Sequence, residues 1–418
     1  MSRNKDKEEA RKISALTHET DNNSVVFNEG SRYLMQTYSR LPAVFTRAKM
    51  QYLWDANGKK YVDFIAGYGC LNVGHSNPLV VSRLLKQIKD IVQPSNVYYS
   101  KPQVELAKKL CEATGFGTKV FFSNSGTEAI EAAVKLARKY SKEKYSNERY
   151  KIVSFYKSFH GRTLGALSAT AQEEKQKIFE PLVEGFGYAR LNDIDSVMEK
   201  IDSNTCAILI EPVQGEGGIN IAEKAFMSNL RKICTEKNIL LILDEVQTGF
   251  ARTGRMFAYQ HYRIIPDILV LAKSIGGGMP LGAIVSDDAI SSVFVPGSHG
   301  STFGGNAASC AAGCAVIDYL TKNDLAKRAD ELGKYFMKGL EGLKAKHSIF
   351  SELRGLGLMI GVELSKPVAA EIVSKALDAG FIINKVSPVI LRFLPTLVIE
   401  KYDIDRLFKW LDKNLGKF

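Results

Sequence analysis

Residues 239–284 read ILLILDEVQTGFARTGRMFAYQHYRIIPDILVLAKSIGGGMPLGAI. Two short apolar runs, Leu240–Leu243 and Ile268–Ala272, each stop on an ionisable residue. The first stops on Asp244 and Glu245, the second on Lys273, which Ser274 and three glycines follow. Continuous apolar runs of this length, bounded by turn signals, suit strands buried on both faces of a parallel sheet. Open α/β sheets bind their ligands beyond the carboxyl ends of such strands. Asp244 and Lys273 are therefore expected to reach one pocket from neighbouring strands.

An acid and an amine at one strand-end pocket suit pyridoxal phosphate. That cofactor needs a lysine to bond its aldehyde and an acid to keep its ring nitrogen protonated. A free lysine, with a pKa of about 10.4, is a poor nucleophile. Burial beside Ile275 and Gly276–Gly278 would lower that pKa and free the amine. A plain salt bridge between Asp244 and Lys273 is the other reading of this stretch.

At 418 residues the chain suits two or three domains. Its 45% hydrophobic and 24% charged content is that of a globular protein. No apolar run reaches the length of a membrane span. The start, MSRNKDKEEARKISALTHETDNN, lacks the apolar centre of a secretion signal, and its acids Asp6, Glu8 and Glu9 are unlike an organelle transit peptide. Residues 1–24 read as a polar tail and the protein as cytoplasmic. The net charge of +11 raises nucleic-acid binding. The basic residues are dispersed, however, so a solvated basic surface that attracts anionic substrates is the reading kept, with no nucleic acid and no membrane as partner. The six cysteines form no C-x-x-C pair, and neither disulfides nor a metal site is expected.

Along the chain, Tyr52–Phe64 reads as a hairpin around Asn57-Gly58. A glycine-rich loop follows at Ala66–His75, then a helix opened by Asn77-Pro78. His75, with no acid close by in sequence, reads as a structural hydrogen-bonder. At Val120–Tyr140 a short strand enters Ser123–Gly126 and then a helix. Ile130, Ala133, Val134 and Ala137 form its buried stripe. Ser125, Gly126 and Thr127 stand at the helix start, where free N–H groups and the helix dipole favour a phosphate; an ordinary helix cap is the alternative.

After a strand at Lys151–Phe155, Phe159 and His160 are candidates to stack on a flat ring, and Arg162 to grip a carboxylate. A surface arginine is the other reading of Arg162. The strand Cys206–Ile210 runs into Glu211-Pro-Val-Gln-Gly-Glu-Gly-Gly218, a further pocket-like exit. Thr302 lies on a glycine-flanked loop and could donate to phosphate. Helices are expected at 307–321 and 324–346, then short strands and helices from Phe350. Arg392, between apolar residues in a strand pattern, must be paired or face a pocket. The repeated strand–helix order gives an α/β fold, a doubly wound and mainly parallel sheet. The expected division is a segment 25–65 packing with the small domain, a large domain 66–306 and a small α+β domain 307–418.

These segments together resemble the class III aminotransferases, pyridoxal-phosphate enzymes of fold type I. The motifs are Asn124-Ser-Gly-Thr-Glu-Ala, Phe159-His-Gly-Arg-Thr, Glu211-Pro-Val-Gln-Gly-Glu-Gly-Gly, Leu243-Asp-Glu-Val-Gln-Thr-Gly and Leu271-Ala-Lys-Ser-Ile-Gly-Gly-Gly. The resemblance implies that Lys273 holds the cofactor and moves the substrate proton, and that Asp244 pairs with the ring nitrogen. It implies that Phe159, with His160 beside it, stacks on the ring, and that Gln247 touches its phenolic oxygen. Ser125, Gly126 and Thr127 would hold the phosphate, joined by Thr302 from the second subunit of a homodimer with shared sites. Tyr38, Tyr68 and Ser301 would join Arg162, Arg392 and Glu216 around the substrate.

Within the family, Thr37-Tyr-Ser-Arg-Leu-Pro, Asn96-Val-Tyr-Tyr and Phe257-Ala-Tyr-Gln-His-Tyr resemble the group acting on N-acetylornithine. There a δ-amino group passes to 2-oxoglutarate, in arginine biosynthesis. Arg162 would bind the substrate's α-carboxylate and Arg392 that of glutamate. Glu216 would neutralise Arg392 when the ω-amine substrate is present. Tyr68 stands where the ornithine enzymes carry tyrosine, so ornithine stays open as a substrate, with succinyldiaminopimelate and 4-aminobutyrate. A non-catalytic binding relative and an aminomutase of the same fold are the readings from other classes.

Overall fold

In the computed structural model residues 23–418 are described. The expected tail at 1–24 lies outside them, apart from Asn23 and Ser24, which open a helix Asn23–Tyr33. Seven strands form the central sheet: β1 (Lys119–Ser123), β2 (Lys151–Phe155), β3 (Phe186–Ala189), β4 (Thr205–Ile210), β5 (Leu240–Asp244), β6 (Ile268–Leu271) and β7 (Gly282–Ser286), in the order β1-β7-β6-β5-β4-β2-β3. Strands β2 to β6 pair in parallel. β7 runs antiparallel to both of its neighbours, β6 and β1.

Every residue of β4, β5 and β6 is buried. Alternate side chains enter different cores. Leu240, Ile242, Ile268 and Val270 pack with the helix Gly126–Lys144, while Leu241, Leu243, Leu269 and Leu271 join the larger cluster on the other face. This two-sided burial is why these strands are apolar at every position rather than at every second one. The helix Gly126–Lys144 buries Ile130, Ala133, Val134 and Ala137 as its apolar stripe requires. Ser125 caps it by accepting from Glu128 N at 3.3 Å, and the Glu128 carboxylate reaches back to Asn124 N at 2.7 Å.

A second, antiparallel sheet has the order Phe350–Leu356, Met359–Leu364, Ile390–Phe393, Asn384–Ser387. The hairpin around Asn57-Gly58 forms from Tyr52–Asp55 and Lys60–Asp63. Its Lys60–Asp63 strand pairs in parallel with Phe381–Ile382, so a distant part of the chain completes the N-terminal sheet. Tyr52 and Gln51 also bond the buried Asp403 of the final helix, Lys401–Asn414, at 2.9 and 3.1 Å. The expected loop at Ala66–His75 contains a short helical turn, Ala66–Gly69, with Gly67 and Tyr68 left-handed. The six cysteines are free thiols. Among the described residues no helix is long and apolar enough to cross a membrane, and no cluster of His, Cys, Asp and Glu is placed to hold a metal.

Candidate active site

β5 and β6 are adjacent, with Asp244 level with Val270. Past Leu271 the chain turns at once through Lys273–Gly276. Lys273 is left-handed, with φ of 49°. That conformation costs a side-chain-bearing residue about 1–2 kcal/mol and is held by its surroundings. Ser274 Oγ, one residue on, donates to Gly69 O at 2.6 Å. Burial is the main cause that lowers the Lys273 pKa, with Arg392 adding to it. Glu216, Cys70 and Asp244 pull the other way. Asp244 and Lys273 thus stand at neighbouring strand exits within reach of each other's charge.

Asp244 is engaged on both oxygens. Oδ1 accepts from Val246 N at 3.0 Å, and Oδ2 lies 2.7 Å from His160 Nδ1. His160 is buried, and its Nε2 has no partner among the described residues. One edge of the imidazole is thus committed to Asp244, a contact the sequence did not suggest. The loop that carries it is tied down at two points. His160 N donates to Thr170 Oγ1 at 2.8 Å, and Phe159 N to Glu211 Oε1 at 2.8 Å. Glu211 leaves β4 as Asp244 leaves β5. Burial, helped by the nearby Asp244 charge, pushes its carboxyl up to about 7 against the pull of His160 and of the N–H groups of Phe159 and Gly215.

At the start of the helix Gly126–Lys144 both hydroxyl oxygens accept from backbone N–H groups. Ser125 Oγ caps Glu128 N, and Thr127 Oγ1 accepts from Arg162 N at 3.1 Å and Thr163 N at 3.3 Å. The backbone N–H groups of Gly126 and Thr127 have no acceptor among the described residues. These are the free backbone donors that the sequence placed at this turn, and Ser125 Oγ, which only accepts here, keeps its own O–H to donate. The Thr127 hydroxyl bonds instead fix the Phe159–Thr163 loop to the helix. A β-carbon on Gly161 would overlap Thr127 Oγ1, so that close approach needs glycine.

Gln247, three residues past Asp244, is buried. Its Oε1 lacks a partner among the described residues, and its Nε2 donates weakly to Tyr68 O at 3.4 Å. A β-carbon on Gly215 would collide with that amide oxygen. Next to it Arg392 is buried, and its charge is paired, as a strand-interior arginine must be. Nη1 donates to Glu216 Oε1 and, at 3.1 Å, to Gly215 O; Nε and Nη2 donate to Asn384 Oδ1 at 3.1 and 2.9 Å. Burial raises the Glu216 pKa, but Arg392, Lys273 and Lys175 outweigh it and hold the carboxyl below its usual range. Tyr68 lies over the Arg392 guanidinium, with the ring centroid 5.4 Å from Cζ, and its hydroxyl is 3.4 Å from Asn384 Nδ2.

Arg162 is exposed, 5.6 Å above the Phe159 ring centroid. Lys175 Nζ lies 5.3 Å above the same centroid. Ser301 Oγ accepts from Asn124 Nδ2 at 3.1 Å and Gly304 N at 2.9 Å, so its hydroxyl braces the loop against the Ser125 turn. Thr302 is exposed; its carbonyl accepts from Gln93, and its hydroxyl has no partner among the described residues. Tyr38 is exposed, with Arg40 5.5 Å over its ring, and bonds to no pocket residue. His75 finds an acid after all: Asp63 Oδ2 at 2.7 Å, while Asp63 Oδ1 takes Ile65 N and Ala66 N at 2.8 and 3.0 Å. The pair anchors the turn that presents Tyr68.

Glu211, Asn384 and Lys175 had no role assigned from sequence, and the contact of His160 with Asp244 was not foreseen. Glu211 carries the same signal as Asp244, a carboxylate ending a buried run. Lys175, one of several charges in Glu173–Lys177, carries none.

Pyridoxal phosphate makes demands that this donor set meets. Two unpaired N–H groups at the head of a long helix suit its phosphate. A buried, doubly bonded carboxylate suits its ring nitrogen, and a lysine of lowered pKa suits its aldehyde. The buried, unpartnered Gln247 Oε1 needs a polar neighbour.

Comparison with known proteins agrees. A family model described as aminotransferase class-III matches residues 33–415. An acetylornithine aminotransferase of Caldanaerobacter subterraneus is 48% identical over 92% of this chain and 98% of its own length. One of Methanocaldococcus jannaschii is 49% identical over 91% and 96%. A solved ornithine aminotransferase of Toxoplasma gondii, described as partly occupied by PLP at its active site, superposes with a TM-score of 0.93 at 30% identity, covering 98% of this chain and 97% of that one.

Proposed function

Because the chain belongs to the class III aminotransferases, we propose that it moves the δ-amino group of N2-acetylornithine to 2-oxoglutarate, giving N-acetylglutamate 5-semialdehyde and glutamate. It is a pyridoxal-5′-phosphate-dependent transaminase, and relatives of that activity match it over nearly its whole length. Ornithine is the second reading, favoured by Tyr68 over Arg392.

When bound, the cofactor supplies an aldehyde that accepts amino groups and a cationic ring that draws electrons from the adjacent carbon. In our reading Lys273 anchors it, and its amine, low in pKa, carries the proton to and from the substrate carbon that bears nitrogen. Asp244, held by His160 and Val246, keeps the ring nitrogen protonated. Phe159 covers the ring and Gln247 meets its phenolic oxygen. The Ser125–Thr127 turn takes the phosphate through its N–H groups, with Thr302 of the second subunit of a cytoplasmic homodimer. Residues 66–306 form the cofactor domain, and 25–65 packs with the small domain 307–418. Tyr38, Ser301 and Tyr68 line the substrate's path.

The single observation that carries the two-substrate reading is the Glu216–Arg392 pair. An arginine buried at the pocket wall would bind any carboxylate brought to it. With Glu216 on it, that charge is cancelled, and an ω-amine end, which has no carboxylate, is accepted. With Glu216 displaced, Arg392 takes the α-carboxylate of glutamate. Arg162 then serves the carboxylate at the far end of either substrate. Values of kcat/KM for acetylornithine, ornithine and 4-aminobutyrate, each with 2-oxoglutarate, test the assignment. Acetylornithine should lead; a lead for either of the others overturns it.

A further inference from the structure

Lys175 is a cation without a counterion among the described residues, beside the Phe159 ring. It sits in the short turn Glu173–Gln176, half-buried, and is bonded to the neutral Gln172 Oε1. Gln172 is itself fixed, because its Nε2 donates to Ser158 O at 2.7 Å, at the root of the Phe159 loop. The ammonium lies 5.3 Å above the Phe159 centroid, and the Arg162 guanidinium lies 5.6 Å from that centroid. Neither cation is ion-paired among the described residues. The charges that reach Lys175 are Glu216, Arg162, Glu174 and Glu211, and of these Glu216 is committed to Arg392. Burial lowers the Lys175 pKa. Two positive groups near one aromatic ring, unpaired among the described residues, form a place for an anion and an unfavourable place for a second cation.

We propose that Lys175 sets the choice between acylated and free α-amino substrates, by pairing with Arg162 on the distal carboxylate and by repelling a charged α-ammonium. The inference rests on the acetylornithine reading above. N-acetylation turns the α-ammonium into a neutral amide, so the distal end presents a carboxylate alone. Ornithine brings the same carboxylate with a positive group beside it. The lysine therefore discriminates partly by repulsion, the component of specificity that added attraction cannot supply. Its rigid attachment through Gln172 keeps the charge from moving aside.

The test compares the cofactor-loaded wild type with Lys175→Met and Lys175→Arg. One readout is the ratio of kcat/KM for acetylornithine to that for ornithine. The other is the calorimetric Kd of N2-acetylnorvaline, which has the distal end but no δ-amine to react. Lys175→Met should narrow the ratio about tenfold, with the loss on acetylornithine mainly in KM and a gain on ornithine. It should weaken N2-acetylnorvaline by a similar factor. Lys175→Arg should restore most of both. A ratio within twofold of wild type in Lys175→Met overturns the proposal. So does an equal loss in Lys175→Arg, which marks a packing role. A wild type that prefers ornithine would refute the acetylornithine assignment instead, and Lys175→Met would still report on the lysine through its ratio to wild type.

Discussion

Nδ1 of His160 lies 2.7 Å from Oδ2 of Asp244, with both side chains buried. The carboxylate that would meet the cofactor ring is therefore itself held by a ring. His160→Ala strands Asp244 in a dry site with one donor fewer. A buried acceptor left short costs about 1–3 kcal/mol. Urea unfolding of the cofactor-free protein should show a loss in that range, and the loaded protein should release cofactor faster on dialysis. Unchanged stability and retention would mean that the imidazole is incidental to Asp244.

The Glu216–Arg392 pair gives an asymmetric expectation for the two half-reactions. Arg392→Leu should slow the glutamate half-reaction by on the order of a hundredfold or more, since removing one member of a buried charged pair costs about 2–5 kcal/mol. Glu216→Ala should act the other way, speeding glutamate relative to the ω-amine substrate. Single-turnover rates for each half-reaction measure both; an unchanged ratio in Glu216→Ala would argue against the switch.

The charge around Lys273 sets a pH dependence. Its ammonium is lowered chiefly by burial, and Glu216 opposes the lowering. A protonated amine cannot bond the cofactor, so capture by the cofactor-free protein should slow as pH falls through the Lys273 pKa. Glu216→Gln removes a stabilising negative charge, lowers that pKa further and should move the acid limb to lower pH. A limb that stays in place or moves upward would show that Glu216 does not act on Lys273.

Thr302 is exposed and its hydroxyl is unbonded among the described residues, as in a residue that serves a neighbouring copy. Lys273→Ala and Thr302→Ala chains, each impaired alone, should regain activity when unfolded together and reassembled. In a mixed dimer one site has the intact lysine and receives the intact threonine. Activity no greater than the mean of the two parents would place Thr302 in its own chain's site or in none.

The fold was legible where burial alone writes the pattern. β4, β5 and β6 are apolar at every position because both faces are covered, and their exits at Glu211, Asp244 and Lys273 are where the pocket lies. Strand direction leaves no such trace. Nothing in Gly282–Ser286 marks β7 as antiparallel, and nothing in Phe381–Ile382 says that it pairs with Lys60–Asp63. Arg392 could be read as paired or pocket-facing because a lone charge in a strand must be satisfied. The resemblance supplied its partner Glu216; Asn384, like Glu211 for Phe159 and Asp63 for His75, comes from elsewhere in the chain and depends on geometry. Thr127 was legible as part of a helix start; the bonds of its hydroxyl to Arg162 N and Thr163 N involve a loop that no periodicity connects to it.

The convergence of Lys273 and Asp244 on one cofactor ring is tested most directly by borohydride reduction of the loaded protein, followed by peptide mass spectrometry. One pyridoxyl group per chain should be found on the peptide that contains Lys273, and none in Lys273→Ala. A stoichiometric label on another lysine, such as Lys175, would contradict the assignment.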